Sequence, residues 1–217
     1  MPTTAPKRDS EARRPDTEAE ERFWAGAKEA TRFFMGEADV HRALEKLVRI
    51  LEAAEIPYAI VGAMALNEHG YRRVTVDVDI LLTREGLAQL KAGVLGLGYL
   101  EKFPGSKGLR DTENGVDVDV LLAGDYPGDG KPKPVSFPDP ARAALRGRRA
   151  AYLPLEKLLE LKLASGQSAP HRLRDLADVL EVIRLLRLPL DLELRLDPSV
   201  RDKYRELWHA AQAAETE

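Results

Sequence analysis

The sequence of 217 residues contains no cysteine. This absence excludes disulfide bonds, thiolate metal ligands and cysteine nucleophiles together, and it fits a reducing compartment. The chain also lacks an apolar run near the roughly 20 residues that cross a bilayer. Its polar N-terminus has no apolar stretch of the kind found in signal peptides. We therefore expect a soluble, cytoplasmic protein with no membrane partner.

The chain also has no large excess of positive or negative charge. The chain has 33 Lys and Arg against 36 Asp and Glu, for a formal net charge of -3. Overall charge therefore does not indicate a nucleic-acid-binding protein, although a local cluster of basic residues could still bind nucleic acid. Hydrophobic residues make up 44% of the chain, which is enough for a core in a domain of this length.

The spacing of apolar residues predicts an α/β (α+β) fold, with a small mixed sheet flanked by helices and a helical C-terminal part. Helices are predicted over 20–35, 38–54, 85–95, 154–164, 170–187 and 199–214, with a short one after Ala63. Strands are predicted over 58–61, 74–82, 99–103, 108–111 and 116–122, and Asn114-Gly115 is typical of a two-residue hairpin turn.

Three regions follow from this pattern. Residues 1–18 are polar and charged, so we predict a disordered N-terminal arm. Residues 19–140 would form the sheet-containing core with its N-terminal helices, and residues 141–217 a C-terminal helical region. Residues 123–140 are rich in Pro and Gly and are predicted to be a long surface loop. Within it, GDYPGDGK resembles a phosphate-binding P-loop, but its glycine spacing and Pro132 exclude that motif.

Two similar hexapeptides carry the most informative chemistry: DVDILL at 77–82 and DVDVLL at 117–122. Alternate residues of a strand share a face, so each hexapeptide places two carboxylates about 6.6 Å apart on one side. At an effective dielectric near 20, two such charges repel by about 2.5 kcal/mol. A bound cation would remove this repulsion, and Mg²⁺ prefers carboxylate and phosphate oxygens. The alternative is a row of solvated acids on an outward sheet face.

A glycine follows the predicted strand just upstream of these acids. Gly62 and Ala63 lead from that strand into a short helix. Glycine allows the backbone to approach a ligand closely, and a helix start offers free N–H groups to a phosphate. Together with the acids, this arrangement indicates metal-dependent phosphoryl or nucleotidyl transfer.

The stretch VGAMALNEHGYRRVTVDVDILL resembles the signature of the DNA polymerase β-like nucleotidyltransferase superfamily. In that signature a hydrophobic residue, Gly and a small residue precede a D-x-D strand by about a dozen residues, and thirteen separate Ala63 from Asp77 here. More narrowly, the chain resembles bacterial minimal nucleotidyltransferases and abortive-infection type IV toxins. The residues that carry this narrower likeness are His69, Gly70, Arg73, Thr75, Asp77, Asp79, Lys162, Arg174, Asp175 and Asp178.

The resemblance implies a role for each matching residue. Asp77, Asp79 and Asp119 would be catalytic and would bind the metal, which the family implies to be two Mg²⁺ ions. Asp119 would also activate the acceptor hydroxyl, although Asp117 on the same face could replace it. The nucleoside triphosphate (NTP) would be contacted by a second set of residues: Gly62, Ala63, Arg73, Lys162 and Asp175.

Other roles remain open for the second set. Arg73 could pair with the carboxylates, Lys162 could extend to solvent, and Asp175 with Asp178 could form surface ion pairs. Ala63 departs from the family, which usually has Gly or Ser there, so a phosphate contact from a hydroxyl is missing.

The predicted activity is transfer of a nucleoside monophosphate (NMP) from an NTP to an acceptor hydroxyl. In the toxin-like group the resemblance implies the 3′ end of a tRNA as acceptor and a cognate antitoxin as partner. The residues leave three alternatives open: an antibiotic-type enzyme that modifies a small molecule, an inactive protein that binds nucleotide or a partner, and a nuclease. They do not indicate an oligomeric state.

Overall fold

A computed structural model describes residues 38–213 of the chain. The predicted arm over 1–18 and the predicted helix over 20–35 lie outside the described residues. The first helix of the described part, α1, covers residues 38–53 and ends close to the predicted position. The predicted division of the chain at residue 140 stays a prediction.

A mixed sheet of seven strands forms the centre of the fold, in the order β3-β4-β5-β2-β1-β7-β6. The pairs β2–β5 and β1–β7 are parallel, and the other pairs are antiparallel. The strands are β1 (Ala59–Ile60), β2 (Asp77–Leu82), β3 (Tyr99–Glu101), β4 (Leu109–Asp111), β5 (Val116–Leu122), β6 (Leu145–Arg146) and β7 (Ala151–Tyr152).

Helices flank this sheet, which confirms the predicted fold class. They are α2 (Gly62–Glu68), α3 (Arg84–Val94), α4 (Pro140–Ala143), α5 (Leu155–Ser168), α6 (Leu173–Leu186) and α7 (Pro198–Ala213), with 3₁₀ turns at Pro170–Arg172 and Leu190–Arg195. The side chain of Thr83 caps α3 as predicted, since it accepts a hydrogen bond from the N–H of Gly86. Within residues 38–213, no helix combines the length and apolar character that crossing a membrane requires.

The two central strands alternate apolar and acidic residues. Val78 and Ile80 of β2 are fully buried, as is Val118 of β5, while the acids between them are only partly exposed. Branched apolar side chains on one face therefore bury the middle of the sheet. This packing fixes the register of both strands, because a slip by one residue would move the acids into the core.

Strand β2 is shorter than predicted, since it starts at Asp77 rather than Val74. The side chain of Asn67 explains the difference. Its Oδ1 accepts from the N–H of Arg73 at 2.6 Å, and its Nδ2 donates to the carbonyl of Arg73 at 2.8 Å. These bonds hold the backbone before β2 outside the sheet, and Val76 is left 64% exposed.

The turn between β4 and β5 also differs from the prediction. Asp111 pairs with Val116, so four residues form the turn instead of two. The carboxylate of Asp111 accepts hydrogen bonds from the side chain of Asn114 and from the N–H of Glu113. Asn114 therefore stabilises the longer turn through its side chain. Strands β6 and β7, of two residues each, were not predicted; both residues of β6 are exposed, so no apolar pattern indicates this hairpin.

Helix α5 runs through Gly166 to Ser168, whereas the sequence predicted an end near residue 164. Gly166 does not terminate the helix because it provides space for the neighbouring helix. A Cβ atom at Gly166 would lie 2.4 Å from Cγ of Leu176 on α6. The glycine thus allows α5 and α6 to pack closely, and this contact positions the C-terminal helices relative to each other.

We expect Gly166→Ala to lower the free energy of unfolding by about 1 kcal/mol or more, because forced overpacking outweighs the higher helix propensity of alanine. Gly93→Ala is the matched control. Gly93 is exposed on α3 and has no neighbouring atom within 4 Å of the added Cβ, so this change should raise the free energy of unfolding by up to about 1 kcal/mol. Urea denaturation of both variants measures the difference. Equal stability of the two would contradict close packing at Gly166.

Candidate active site

The four acids of the two hexapeptides lie side by side on one face of the sheet. In the parallel pairing of β2 with β5, Asp77 is opposite Asp117 and Asp79 is opposite Asp119. Neighbouring strands are about 4.8 Å apart, so the two acid pairs form one compact group. This confirms that the hexapeptides occupy neighbouring strands.

The two acid pairs have different partners. Lys102 Nζ lies 2.9 Å from Oδ1 of Asp119 and 3.2 Å from Oδ2 of Asp117, and Arg110 Nη1 lies 2.6 Å from Oδ1 of Asp117. We call Asp117 and Asp119 the cation-paired acids. Asp77 and Asp79, the open acids, form no ion pair with any Lys or Arg of the described residues; Asp77 accepts a hydrogen bond from the hydroxyl of Thr75.

The electrostatics of the two pairs differ accordingly. Desolvation, followed by repulsion from Asp77 and Asp119, raises the pKa of Asp79 to about 6. Burial acts to raise the pKa of Asp117 too, but hydrogen bonds from Arg110 and Lys102 outweigh it and leave that pKa below its usual value. Lys102 and Arg110 therefore offset the charge of the cation-paired acids at close range, whereas Lys162 and Arg73 act on Asp79 only through longer-range attraction.

Gly62 brings the backbone against Asp79. Its φ of +62° lies in the left-handed region, and a Cβ atom there would lie 1.9 Å from Oδ2 of Asp79. The N–H of Val61 donates to the carbonyl of Asp79 at 3.0 Å. Only glycine leaves the carboxylate of Asp79 in this position. Ala63 is buried in α2, and the phosphate contacts predicted for Gly62 and Ala63 stay predictions.

Lys162, on α5, is held by two acids of α6. Its Nζ lies 3.1 Å from Oδ1 of Asp175 and 2.7 Å from Oδ2 of Asp178. Arg73 also pairs with Asp178, and the hydroxyl of Ser165 donates to Asp175 at 2.6 Å. The structure therefore brings Arg73, Lys162 and Asp175 into one network. Arg174 is exposed and forms no part of it.

A cleft of about 740 Å³ joins this network to Asp79, one of the open acids. Gly62 and Asp79 line it on the side of the sheet, and Lys162, Ser165 and Asp175 line it on the side of α5 and α6. Ligand pockets in proteins commonly measure about 300–1,000 Å³. The cleft is therefore large enough for a nucleotide whose phosphates point toward Asp79 and Lys162.

The loop after β5 forms another wall of the cleft, which the sequence did not reveal. Residues 124–132 contribute to the lining, including most of the GDYPGDGK stretch. A Cβ atom at Gly128 would lie 2.0 Å from Oγ of Ser168, and Arg172 donates to the carbonyl of Gly128 at 3.3 Å. The loop thus packs against the end of α5. The loop follows β5 but does not lead into a long helix, as a P-loop would. This agrees with the exclusion of the P-loop motif from the sequence.

Lys102 and Arg110 were also not identified from the sequence as residues of the site. Arg110 could have been found, because it lies opposite Asp117 in the β4–β5 pair. Lys102 follows β3 and reaches β5 across β4, so only the folded structure shows it. His69 belongs to the scaffold: its Nε2 lies 2.8 Å from the carbonyl of Leu153.

The open acids fit one Mg²⁺ ion together with substrate. Within residues 38–213, no group of three or more His, Asp or Glu side chains is arranged to hold a metal ion. Mg²⁺, however, is commonly bound by one or two carboxylates plus phosphate oxygens. Asp77 and Asp79 supply that number of carboxylates, and Asp79 lines the cleft in which phosphate oxygens would lie.

Comparisons with known proteins add only distant likenesses. No protein-family model and no curated protein matches the chain. The structure resembles ANT(2″)-Ia in complex with adenylyl-2″-tobramycin, at 16% identity and a TM-score of 0.47, over 80% of this chain and 97% of that one.

It also resembles an H. pylori protein provisionally named a nucleotidyltransferase, at 16% identity and a TM-score of 0.47 over 82% and 93% of the two chains. A Thermotoga maritima protein with the same provisional name shares 18% identity, at a TM-score of 0.45 over 64% and 91%. Likenesses at this level carry no argument about the activity, which depends on the geometry of the site.

Proposed function

We propose that this protein is a Mg²⁺-dependent nucleotidyltransferase, which moves an NMP from an NTP to an acceptor hydroxyl. One observation carries the proposal. Four carboxylates lie in register on two parallel strands, and Asp79, one of the two without a cationic partner, lines a cleft of nucleotide size that also contains Lys162. Such an arrangement is unfavourable for an empty sheet face and favourable for binding a metal–nucleotide complex.

Each residue has a chemical role in this proposal. Asp77 and Asp79 hold the cation, which, when bound, stabilises the negative charge that develops on the α-phosphate. Lys162 contacts the triphosphate, and its bonds to Asp175 and Asp178 restrict its conformations. The wall formed by residues 124–132 limits the access of water to the bound nucleotide.

Asp119 is the general base of the transfer. The acceptor oxygen forms a bond to the α-phosphorus while its proton moves to Oδ2 of Asp119. The bond between the α-phosphorus and the bridging oxygen breaks, and pyrophosphate leaves. Lys102 binds the other oxygen, Oδ1, so the orientation of the carboxylate is defined before the acceptor arrives.

The acceptor in this proposal is an RNA 3′ hydroxyl. Three exposed cations line the cleft: Arg84 and Lys107, which both pair with Asp125, and Arg172, which lies 4.0 Å from Asp175. Exposed cations that line a cleft favour a polyanion, since phosphate contacts position nucleic acids on proteins. The toxin role and the cognate antitoxin implied by the resemblance stay predictions.

An α-labelled NTP assay tests the function. The full chain is incubated with Mg²⁺, each of the four NTPs, and either total RNA, total protein or small hydroxylated acceptors. We expect label on RNA, and no label after chelation of the metal. Label on a small molecule alone would indicate an antibiotic-type enzyme, and shortened RNA a nuclease. Nucleotide binding without transfer, unchanged in Asp77→Asn and Asp79→Asn, would indicate an inactive binding protein.

A further inference from the structure

The side chain of Lys102 is held in a defined position beside the cation-paired acids. Its side chain is 29% exposed, and its Nζ lies within 3.2 Å of both Asp117 and Asp119. The N–H of Lys102 donates to the carbonyl of Gly108 at 3.2 Å. This bond links the two ends of the turn between β3 and β4. It therefore fixes the backbone from which the Lys102 side chain extends.

Gly108 provides the path for this side chain. A Cβ atom at Gly108 would lie 2.7 Å from Cδ of Lys102 and 3.4 Å from Oδ1 of Asp119. Gly108 is not among the glycines with positive φ, so its backbone conformation does not require glycine. The space that a side chain would fill is taken by the stem of Lys102, which runs over it to the carboxylates.

The four acids and their two cationic partners leave a net charge that one divalent ion would balance. Four carboxylates carry four negative charges, and Lys102 with Arg110 supplies two positive charges at Asp117 and Asp119. Four minus two leaves two negative charges, both at the open acids. One divalent cation balances them. A second ion beside Asp119 would have to displace an ammonium group that already contacts both cation-paired acids.

We propose that Lys102 takes the place of a second metal ion, so that the site uses one divalent cation at Asp77 and Asp79 and one ammonium group at Asp119. The inference rests on the proposed function and deepens it, because the family resemblance implies two ions. Lys102 is a positioning residue: it neutralises and orients Asp119 through Oδ1, and it leaves Oδ2 for the proton of the acceptor hydroxyl.

Counting bound Mn²⁺ on the full chain tests the proposal without any turnover. Equilibrium dialysis with a saturating, non-hydrolysable NTP analogue should give one Mn²⁺ per wild-type chain. Lys102→Met and Lys102→Gln should each give two, because removal of the ammonium group leaves Asp119 free to bind an ion with its neighbours. Lys102→Arg keeps the charge and should remain at one. Thermal melting of each variant checks that it is folded.

The outcomes separate this proposal from the one on which it rests. Two Mn²⁺ per wild-type chain, or one per chain in both neutral variants, would overturn the role of Lys102 and leave the transfer activity unaffected. No Mn²⁺ on the wild-type chain in the presence of nucleotide would instead overturn the proposed function itself. A Lys that forms only a surface ion pair would change the melting temperature slightly and the metal count not at all.

Discussion

Asp79→Asn should lower the rate of NMP transfer by about 10³-fold or more. The variant replaces one of two open carboxylates by a neutral amide, so the metal loses a charged ligand and several kcal/mol of stabilisation of the transition state. The fold should survive, because the change removes repulsion from Asp77 and Asp119 and the hydrogen bond from Val61 uses the backbone of Asp79. We therefore expect a free energy of unfolding equal to or above that of the wild type.

Asp202→Asn provides the control for the loss of one negative charge. Asp202 lies on the exposed side of α7 and pairs only with its helical neighbour Arg205 among the described residues. Its replacement should leave the transfer rate within twofold of the wild type. Single-turnover rates and urea denaturation on the three proteins compare activity with stability. Retention of more than a tenth of the wild-type rate by Asp79→Asn would argue against a metal at this carboxylate.

Asp119→Asn and Asp117→Asn should have very different effects, although each removes one contact with Lys102. Loss of a general base typically lowers a rate by about 10²–10⁴-fold, and we expect that range for Asp119→Asn. Asp117 is engaged by Arg110 as well as by Lys102, so its replacement should weaken transfer less than tenfold.

The matched pair is informative because both variants change the same strand, the same face and the same charge. Rates at saturating NTP and acceptor separate an effect on chemistry from one on binding. Equal losses in the two variants would indicate a shared electrostatic role without a specific base. A larger loss in Asp117→Asn would exchange the roles of the two acids.

The sequence predicted the central part of the site because strand physics constrains it tightly. Acids that alternate with Val and Ile can only face away from the core, so DVDILL and DVDVLL determine which face carries the carboxylates. Gly62 was predictable for a similar reason, since a glycine between a strand and a helix indicates close approach of the backbone. The group that the Gly62 backbone approaches is the carboxylate of Asp79. Its Oδ2 lies 1.9 Å from the position that a Cβ atom at Gly62 would take.

Features that depend on contacts between distant segments were not predictable. Lys102 reaches its acids across β4, and Gly108 provides its path, yet neither lies in a recognisable motif. Gly166 was interpreted as a helix end because glycine is common there, whereas packing against Leu176 overrides that preference. The loop over 124–132 lines the cleft and packs against α5, where a Cβ atom at Gly128 would meet Ser168, and this contact joins segments that are distant in the sequence.

The most direct measurement of the central claim compares two labels on the same NTP. The full chain is incubated with Mg²⁺, RNA and NTP labelled at either the α- or the γ-phosphate. Nucleotidyl transfer predicts that the α-label joins the RNA and that the γ-label is released in pyrophosphate, with both signals lost in Asp79→Asn. Transfer of the γ-label to RNA, or retention of both signals in that variant, would contradict the proposed function.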